Sequence, residues 1–229
     1  PREKFMLIAL PNQDNSFTVT LFYPYEDLKA LGESGHKEDV LDLFKEHFPD
    51  ALTLIGEKQL LEDFFANPAG SLVTVKMQRY NFKDRVLMLG DAIHAMVPFY
   101  GQGMNAGFED VQVLMRLLEK YTLSQAIQFF TEVRRPDAHA ICDLALYNYT
   151  EMSTLVLSRR YLAKKWLYAW LHRLAPTTFV PLYSMVSFSQ IPYHQAIEQK
   201  ERQELLVNCA AASGFLAAAT FVGFKLLEK

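Results

Sequence analysis

Three features of the sequence predict a mixed α+β and α/β fold. Two β-rich apolar runs at 5–11 and 16–24 flank a short polar turn. A buried-strand pattern within 82–91 leads through a glycine-rich loop into a helix, which is the order typical of α/β folds. From about 124 to 195 apolar residues recur at helical spacing.

The composition limits the classes of protein to consider. The chain has 229 residues, half of them hydrophobic, which is enough to bury a core in one large domain or two small ones. Its net charge of −3 gives no electrostatic reason to expect nucleic acid as a partner. Cys142 and Cys209 form no metal-ligand spacing, so we expect no metal and a reducing compartment.

The first third of the chain predicts a hairpin followed by short helices. Asn and Asp between the two β-rich runs are turn residues, so 5–11 and 16–24 are predicted to pair as a β-hairpin. Alternation in the second run predicts one buried face and one polar face. Segments 37–48 and 57–66 have helical apolar spacing and end before prolines, and 71–77 returns to a strand pattern.

The segment from 86 to 107 carries the strongest sign of a ligand site. The continuous apolar run 86–89 predicts a strand buried on both faces of a parallel sheet, and it ends at Gly90-Asp91. A loop with three glycines follows, and we expect a helix from about Met104, whose free N–H groups favour anionic groups. The glycine spacing is not the dinucleotide fingerprint, so on spacing alone a ligand site and tight packing both remain open.

Two further segments carry a membrane hypothesis. Residues 205–227 are almost uninterrupted apolar and small residues, long enough to cross a bilayer as a helix, although a hydrophobic helix packed on the protein is the alternative. Residues 159–173 mix basic, aromatic and leucine side chains. They predict an amphipathic surface helix, and contact with anionic lipid is a sharper hypothesis for the same segment.

A long ordered pattern now adds a family resemblance. It comprises Asp84-Arg85-Val86, 89–92, His94, Pro98, 101–105 and Asp110. This pattern is similar to the second flavin-binding motif of the class A flavoprotein monooxygenases. The resemblance implies the C-terminal part of a PHBH-like flavoprotein monooxygenase fold. Its segments would be substrate-domain strands and helices at 1–78, a strand–loop–helix of the FAD domain at 79–121, a helical region at 122–203 and a membrane-anchor helix at 204–229.

The resemblance also assigns cofactor-binding residues. Asp91 corresponds to the aspartate that binds the ribityl chain of FAD, and Pro98 to the proline that lies over the flavin ring. The loop and helix start that surround the pyrimidine end of the flavin correspond to Gly101, Gln102, Gly103, Met104 and Asn105. One departure is Ile93, where the family usually has a small residue, which puts close packing in question at this point.

Substrate-binding residues follow from the similarity to one member of the family. An Asn and a Tyr that hold the substrate carboxylate correspond to Asn148 and Tyr183. Residues near the substrate or at its boundary with the flavin correspond to Phe99, Gln102, Glu151 and Met152. Without the resemblance, Asn148 would be interpreted as a surface or capping residue, Tyr183 as a core tyrosine and Glu151 as a solvated residue.

The implied function is hydroxylation of an aromatic substrate with FAD, NADPH and O₂. The flavin would carry the chemistry, so no catalytic side chain is assigned and His94 is expected to be structural. The N-terminal FAD-binding half is expected to be missing, the chain alone to be inactive, and the location to be the mitochondrial outer membrane. Two alternatives stay open: a class A hydroxylase with a different substrate, or a membrane-tethered truncated product without catalysis.

Overall fold

The computed structural model describes residues 1–227, and for residues 211 and 213–227 it describes the helical backbone alone. The chain forms two compact units. The first comprises Pro1–Val73 with Leu146–Leu162, and the second comprises Thr74–Ala145 with the residues from Ala163 onward. The four segments predicted from the sequence concern the domains of a whole protein and stay a prediction.

The first unit begins with the predicted hairpin, which is confirmed. Strands β1 (Met6–Pro11) and β2 (Phe17–Phe22) pair antiparallel, from Met6 opposite Phe22 to Pro11 opposite Phe17. The turn is closed by Asp14, whose Oδ1 accepts hydrogen bonds from the Ser16 backbone N–H at 3.0 Å and the Ser16 hydroxyl at 2.6 Å. Local polar side chains therefore fix the register, as the turn composition predicts.

Four helices follow the hairpin in the first unit. Their bounds are α1 (Tyr25–Ser34), α2 (Lys37–His47), α3 (Pro49–Ile55) and α4 (Glu57–Ala66). The predicted helices at 37–48 and 57–66 are confirmed as α2 and α4. One face of these helices forms a core with the hairpin, made of Val40, Phe44, Phe48, Leu52 and Leu60.

One expectation for the hairpin is wrong. The alternating face of β2 was predicted to be buried, yet Phe17 is 61% exposed and Val19 is 41% exposed. Alternation identifies which side chains share a face of a strand, but it does not specify whether a second layer covers that face. The apolar core described above, which we call the α2 core, packs against this face of β2 only at Leu21.

The second unit contains the glycine-rich segment and most of the helical region. Its strands are β3 (Asn81–Phe82) and β4 (Val86–Leu87), and its first helices are α5 (Asp91–His94) and α6 (Gly103–Leu118). Helix α7 (Leu123–Ser153) and helix α8 (Arg159–Leu174) contribute to both units. Helices α9 (Leu182–Phe188) and α10 (Tyr193–Leu227) complete the described chain.

Two strand predictions in this unit are wrong in detail. Instead of a strand buried on both faces of a parallel sheet, β4 pairs antiparallel with β3 over two residues, and Val86 is 49% exposed. Among the described residues no parallel neighbour is available to cover the apolar run. Segment 71–77 is extended but is not a sheet strand: its Val75 and Met77 N–H groups bind the carbonyls of Ala95 and Ile93 at 2.8 and 3.0 Å.

Two apolar clusters hold the second unit together. One surrounds Tyr80, Ile93, Phe130 and Ala138. The other comprises Val97, Tyr100, Ala106, Ala140, Ile141, Leu144, Ala145, Met185, Val186, Tyr193 and Ala196. Ile93, the departure from the family pattern, is fully buried in the first cluster, so the larger side chain is accommodated at this point.

The helical pattern predicted from about 124 to 195 is confirmed, and α7 continues through Pro136. The predicted membrane anchor lies mostly outside the residues whose side chains the structure describes. Within the described part of the chain, none of the helices combines the length and the apolar character that a membrane span requires.

We expect Phe44 in the α2 core to dominate the stability of the first unit. Phe44→Ala removes a ring that is 2% exposed and should lower the free energy of unfolding by about 3–5 kcal/mol. The control is Leu54→Ala on α3, because Leu54 is 87% exposed and its truncation should change stability by less than about 0.5 kcal/mol. Urea unfolding followed by circular dichroism measures both, and equal effects would contradict this description of the core.

Candidate functional site

The turn between β4 and α5 delivers Asp91 to the surface. Gly90 has φ +61° and ψ −141°, a conformation that residues with a side chain rarely adopt. Its backbone also lies close to α6, since a Cβ on Gly107 would be 3.9 Å from the Gly90 Cα. A glycine at position 90 therefore allows the chain to turn sharply and to place Asp91 at an exposed position at the start of α5.

The glycine-rich loop then enters α6 at a defined position. Pro98–Tyr100 form a single 3₁₀ turn, and Gly101 reverses the chain with φ +67°. The buried Gln102 precedes the first residue of α6, and its side-chain oxygen accepts a hydrogen bond from the Asn105 amide at 2.9 Å. The first N–H groups of a helix have no acceptor within the helix, so this end of α6 favours an anionic or electron-rich ligand.

Five of the seven predicted cofactor residues are exposed, Gly103 is partly exposed and Gln102 is buried. Asp91, Pro98, Gly101, Met104 and Asn105 are all exposed, and Met104 is 73% exposed. No atom lies within 4 Å of a Cβ built on Gly90, Gly101 or Gly103, so the backbone here is open to a ligand. An accessible backbone beside a carboxylate and a helix start fits the ribityl and pyrimidine parts of a flavin.

The fully buried carboxylate of Asp110 stabilises the turn at Gly90-Asp91 from the interior of the second unit. Asp110 on α6 accepts hydrogen bonds from the Gly90 N–H at 2.7 Å and from His94 Nε2 at 2.7 Å. These two partners flank Asp91 on either side in the sequence. His94 is 0% exposed and its Nδ1 has no hydrogen-bond partner, which favours the tautomer with the proton on Nε2.

Arg134 of α7 completes the network. Its Nε donates to the second oxygen of Asp110 at 2.7 Å and its Nη2 donates to the Ala106 carbonyl at 2.9 Å. Its Nη1 lies 3.0 Å from Glu109 and 3.8 Å from Asp137. Together these contacts connect α6 to α7 next to the Gly90-Asp91 turn, which we call the flavin-motif turn.

The network extends to the start of α10. Asp137 Oδ1 accepts hydrogen bonds from His194 at both the backbone N–H, at 3.1 Å, and the ring Nδ1, at 2.6 Å. Three carboxylates, Glu109, Asp110 and Asp137, therefore surround a single guanidinium that is 2% exposed. Such a cluster is stable only while its hydrogen bonds are complete.

The environment shifts the pKa values of two of these carboxyls in opposite directions. Burial alone would raise the pKa of Asp110, but hydrogen bonds from His94, Gly90 and Arg134 together hold it below its usual value of 3.8. Burial raises the pKa of Glu109 above its usual value, although Arg134 opposes this effect. Asp110 is therefore the member of the cluster whose ionised form the fold stabilises.

Besides Gln102, the predicted substrate residues Tyr183 and Phe99 lie in the second unit. The ring of Tyr183 on α9 stacks on Tyr100 with centroids 5.8 Å apart and an interplanar angle of 19°. Tyr183 is 55% exposed, so the interpretation as a core tyrosine is wrong. Phe99 is partly buried and packs against the apolar cluster that contains Tyr100.

The other predicted substrate residues lie in the first unit, on the last turns of α7. Asn148 is only 7% exposed, and its amide lies 3.6 Å from the Met152 sulfur, so it is not a surface residue. Glu151 is half-buried and hydrogen-bonds Tyr161. Burial and then Glu151 raise the pKa of the Tyr161 phenol, which keeps it a neutral hydrogen-bond donor.

Arg134 is the important residue of the site that the sequence analysis did not identify. It lies four residues after the buried Phe130 and four before the buried Ala138, so it occupies the apolar stripe of α7. A charged residue on a core-facing stripe is rarely left unpaired. That position could have indicated a buried partner, but it could not have identified Asp110 as that partner.

Comparison with known proteins agrees with this geometry. Residues 34–144 match the FAD binding domain family. The chain is 46% identical to "Kynurenine 3-monooxygenase" of Anopheles gambiae over 225 residues, 97% of this chain and 46% of that protein. It is 47% identical to the protein of the same name from Sus scrofa, over 92% of this chain and 44% of that protein.

The chain is homologous to the kynurenine 3-monooxygenases. The predicted resemblance to flavin monooxygenases is thereby confirmed, and FAD is the cofactor that the matched family binds. The chain spans less than half the length of these curated relatives. The roles of individual residues in the site stay predictions.

We predict that Asp110→Asn destabilises the protein in a pH-dependent manner. The pKa of Asp110 is lower in the folded protein than its usual value of 3.8. The contribution of its charge to the free energy of unfolding is therefore complete above pH 3.8 and is lost as the pH falls through the folded pKa. At neutral pH the substitution should cost about 3–5 kcal/mol, because it removes one partner of a buried ion pair.

Urea unfolding at pH 7 and at steps towards about pH 3 tests this expectation. The difference in the free energy of unfolding between wild type and variant should become smaller as the pH falls. The matched control is Asp143→Asn, since Asp143 pairs with Lys76 near the surface and should contribute less than about 1 kcal/mol. A difference that stays constant with pH would contradict the role of the Asp110 charge.

Proposed function

We propose that the chain is part of an FAD- and NADPH-dependent monooxygenase that converts L-kynurenine and O₂ into 3-hydroxykynurenine. The observation that carries the proposal is the exposure of Asp91 and of the start of α6, together with the hydrogen bond from the Gly90 N–H to the buried Asp110. The match to the FAD binding domain family and to relatives named kynurenine 3-monooxygenase supports it.

The residues of this chain would bind and orient the flavin. Bound FAD would supply the redox chemistry that activates oxygen. Asp91 would accept hydrogen bonds from ribityl hydroxyls, Pro98 would lie over the ring, and residues 101–105 would surround its pyrimidine end. The positive end of the α6 dipole favours negative charge at that position.

Substrate recognition would use neutral hydrogen-bond donors. The amide of Asn148 and the hydroxyl of Tyr183 are suited to a carboxylate, because each donates without adding charge. Stacking on Tyr100 fixes the plane of the Tyr183 ring, and burial restricts Asn148. In the second unit Phe99 and Gln102 would lie at the boundary between flavin and substrate, and in the first unit Glu151 and Met152 would lie near the substrate.

We propose further that hydroxylation requires more of the protein than this chain. The curated relatives are about twice as long as the segment they share with it, and the chain alone is expected to be inactive. The mitochondrial outer membrane, with residues 205–227 as anchor, is the location that the resemblance implies.

A second candidate function is hydroxylation of a different aromatic substrate. The family match supports this alternative, because residues 34–144 match the FAD binding domain family, whose description specifies a cofactor and no substrate. The cofactor assignment is the same for both candidates, so flavin binding and substrate choice are tested separately.

Flavin binding should depend on Asp91. In the product of the complete gene, Asp91→Ala should weaken FAD binding about 10- to 100-fold, because a charged acceptor of ribityl hydrogen bonds is lost. Titration of the apoprotein with FAD, followed by flavin fluorescence, measures this. Glu132→Ala, at an exposed position on α7, should leave the affinity unchanged, and an Asp91 variant that binds as tightly as wild type would refute the assignment.

Substrate specificity should depend on the Tyr183 hydroxyl. Tyr183→Phe keeps the ring stacked on Tyr100 and removes one donor, so KM for L-kynurenine should rise about tenfold or more while FAD affinity stays the same. Steady-state NADPH oxidation coupled to product analysis measures both kcat and KM. An unchanged KM would refute the role assigned to the Tyr183 hydroxyl, and a wild-type enzyme that does not turn over L-kynurenine would favour the second candidate function.

A further inference from the structure

Helix α8 presents an apolar stripe to solvent. In the second unit, none of the α8 residues 163–174 is buried. The stripe consists of Trp166, Leu167, Trp170 and Leu174, which are 65%, 40%, 45% and 76% exposed. Their spacing places all four on one side of the helix, because a turn takes 3.6 residues.

The opposite side of the helix is attached to the protein. His172 Nδ1 lies 2.7 Å from the Phe179 carbonyl oxygen, and the ring of Tyr168 packs edge-on against Phe179. The polar and mixed side of α8 therefore faces the protein, and the apolar stripe faces outward. This is the reverse of the arrangement expected of a surface helix in a water-soluble domain.

Basic residues border the stripe on both sides. Lys164 lies beyond Leu167, and Arg173 lies beyond Trp166, with its guanidinium carbon 5.9 Å from the centroid of the Trp170 ring. No acidic residue occurs between 159 and 174. An apolar stripe edged by cations is the pattern of helices that lie in a membrane interface, with tryptophan at the level of the head groups.

A second exposed apolar surface adjoins this stripe. Lys164 Nζ forms an ion pair with Glu204 of α10 at 2.9 Å, so α8 and α10 meet at this point. The next two residues, Leu205 and Leu206, are 63% and 53% exposed. The apolar surface of α8 therefore continues onto the part of α10 that begins the apolar run of the sequence.

We propose that the α8 stripe docks on the surface of a bilayer that contains anionic lipid. The helix would lie along the membrane plane, with its tryptophan and leucine side chains among the upper acyl chains and Lys164 and Arg173 at the phosphates. The helix carries basic residues and no acidic ones, so its charge complements an anionic lipid surface, to which nearby lysine and arginine are attracted. The proposal is independent of flavin chemistry and of whether residues 205–227 insert into the membrane.

The chain carries its own reporter for this surface. Trp166 and Trp170 are the two tryptophans of the 229-residue sequence, so tryptophan emission reports on the stripe alone. The full chain would be mixed with vesicles of phosphatidylcholine, with or without phosphatidylserine. We expect emission typical of exposed indole in buffer, and a shift to shorter wavelength with quenching by brominated lipid when phosphatidylserine is present.

Charge variants test the role of the flanking cations. Lys164→Gln/Arg173→Gln should weaken binding to the anionic vesicles by at least about fivefold, since a basic residue near an anionic surface contributes roughly fivefold and Lys164, which is paired with Glu204, contributes less than Arg173. The matched control is Arg116→Gln/Lys120→Gln, which removes the same charge from exposed positions elsewhere in the second unit and should leave binding within about twofold of wild type.

Three results would overturn the proposal. Emission that is already at short wavelength in buffer would show that protein, not lipid, covers the stripe. Sedimentation of the chain with vesicles without an emission shift would show attachment through another segment, such as residues 205–227. An equal shift with phosphatidylcholine alone, unaffected by the Lys164/Arg173 variant, would refute the requirement for anionic lipid.

Discussion

The Asp110 carboxylate is the interaction on which the flavin-motif turn depends. Its two oxygens bind the Gly90 N–H, His94 and Arg134, all at 2.7 Å, and the bonds to His94 and Arg134 are buried. A turn that exposes Asp91 cannot be held by its own exposed side chain, because that side chain must remain available to a ligand. The fold therefore positions Asp91 through a second carboxylate placed behind it, at the cost of burying charge.

Local structure was predictable where the sequence contains its own turn and cap chemistry. The hairpin turn is fixed by the hydrogen bonds between Asp14 and Ser16. Helices α2 and α4 have nearly the predicted bounds, because the helical spacing of their apolar residues and the residues at their ends indicate the same limits. The sheet environment of Val86 was not predictable. An apolar run is compatible with neighbours on both sides, but it carries no information about which neighbours are present.

The candidate site, like the fold, was predictable only where a local sequence pattern specifies it. The exposure of Asp91, Pro98, Gly101, Met104 and Asn105 agrees with a ligand surface, and the motif that contains them was visible in the sequence. The partners of Arg134 depend on contacts between α6 and α7, and no local pattern specifies such contacts. The burial of Asn148 was likewise invisible to helix periodicity, since a small amide is compatible with either environment.

The position of Arg134 has a consequence for how sequence variants would behave in a cell. A substitution there would leave the buried Asp110 and the partly buried Glu109 and Asp137 without their cation, although the side chains assigned to FAD and substrate would be unchanged. The immediate effect would be a larger unfolded fraction, which chaperones and proteases remove. Such a variant would be low in abundance rather than slow in turnover, and an assay of cell extracts alone would confuse the two.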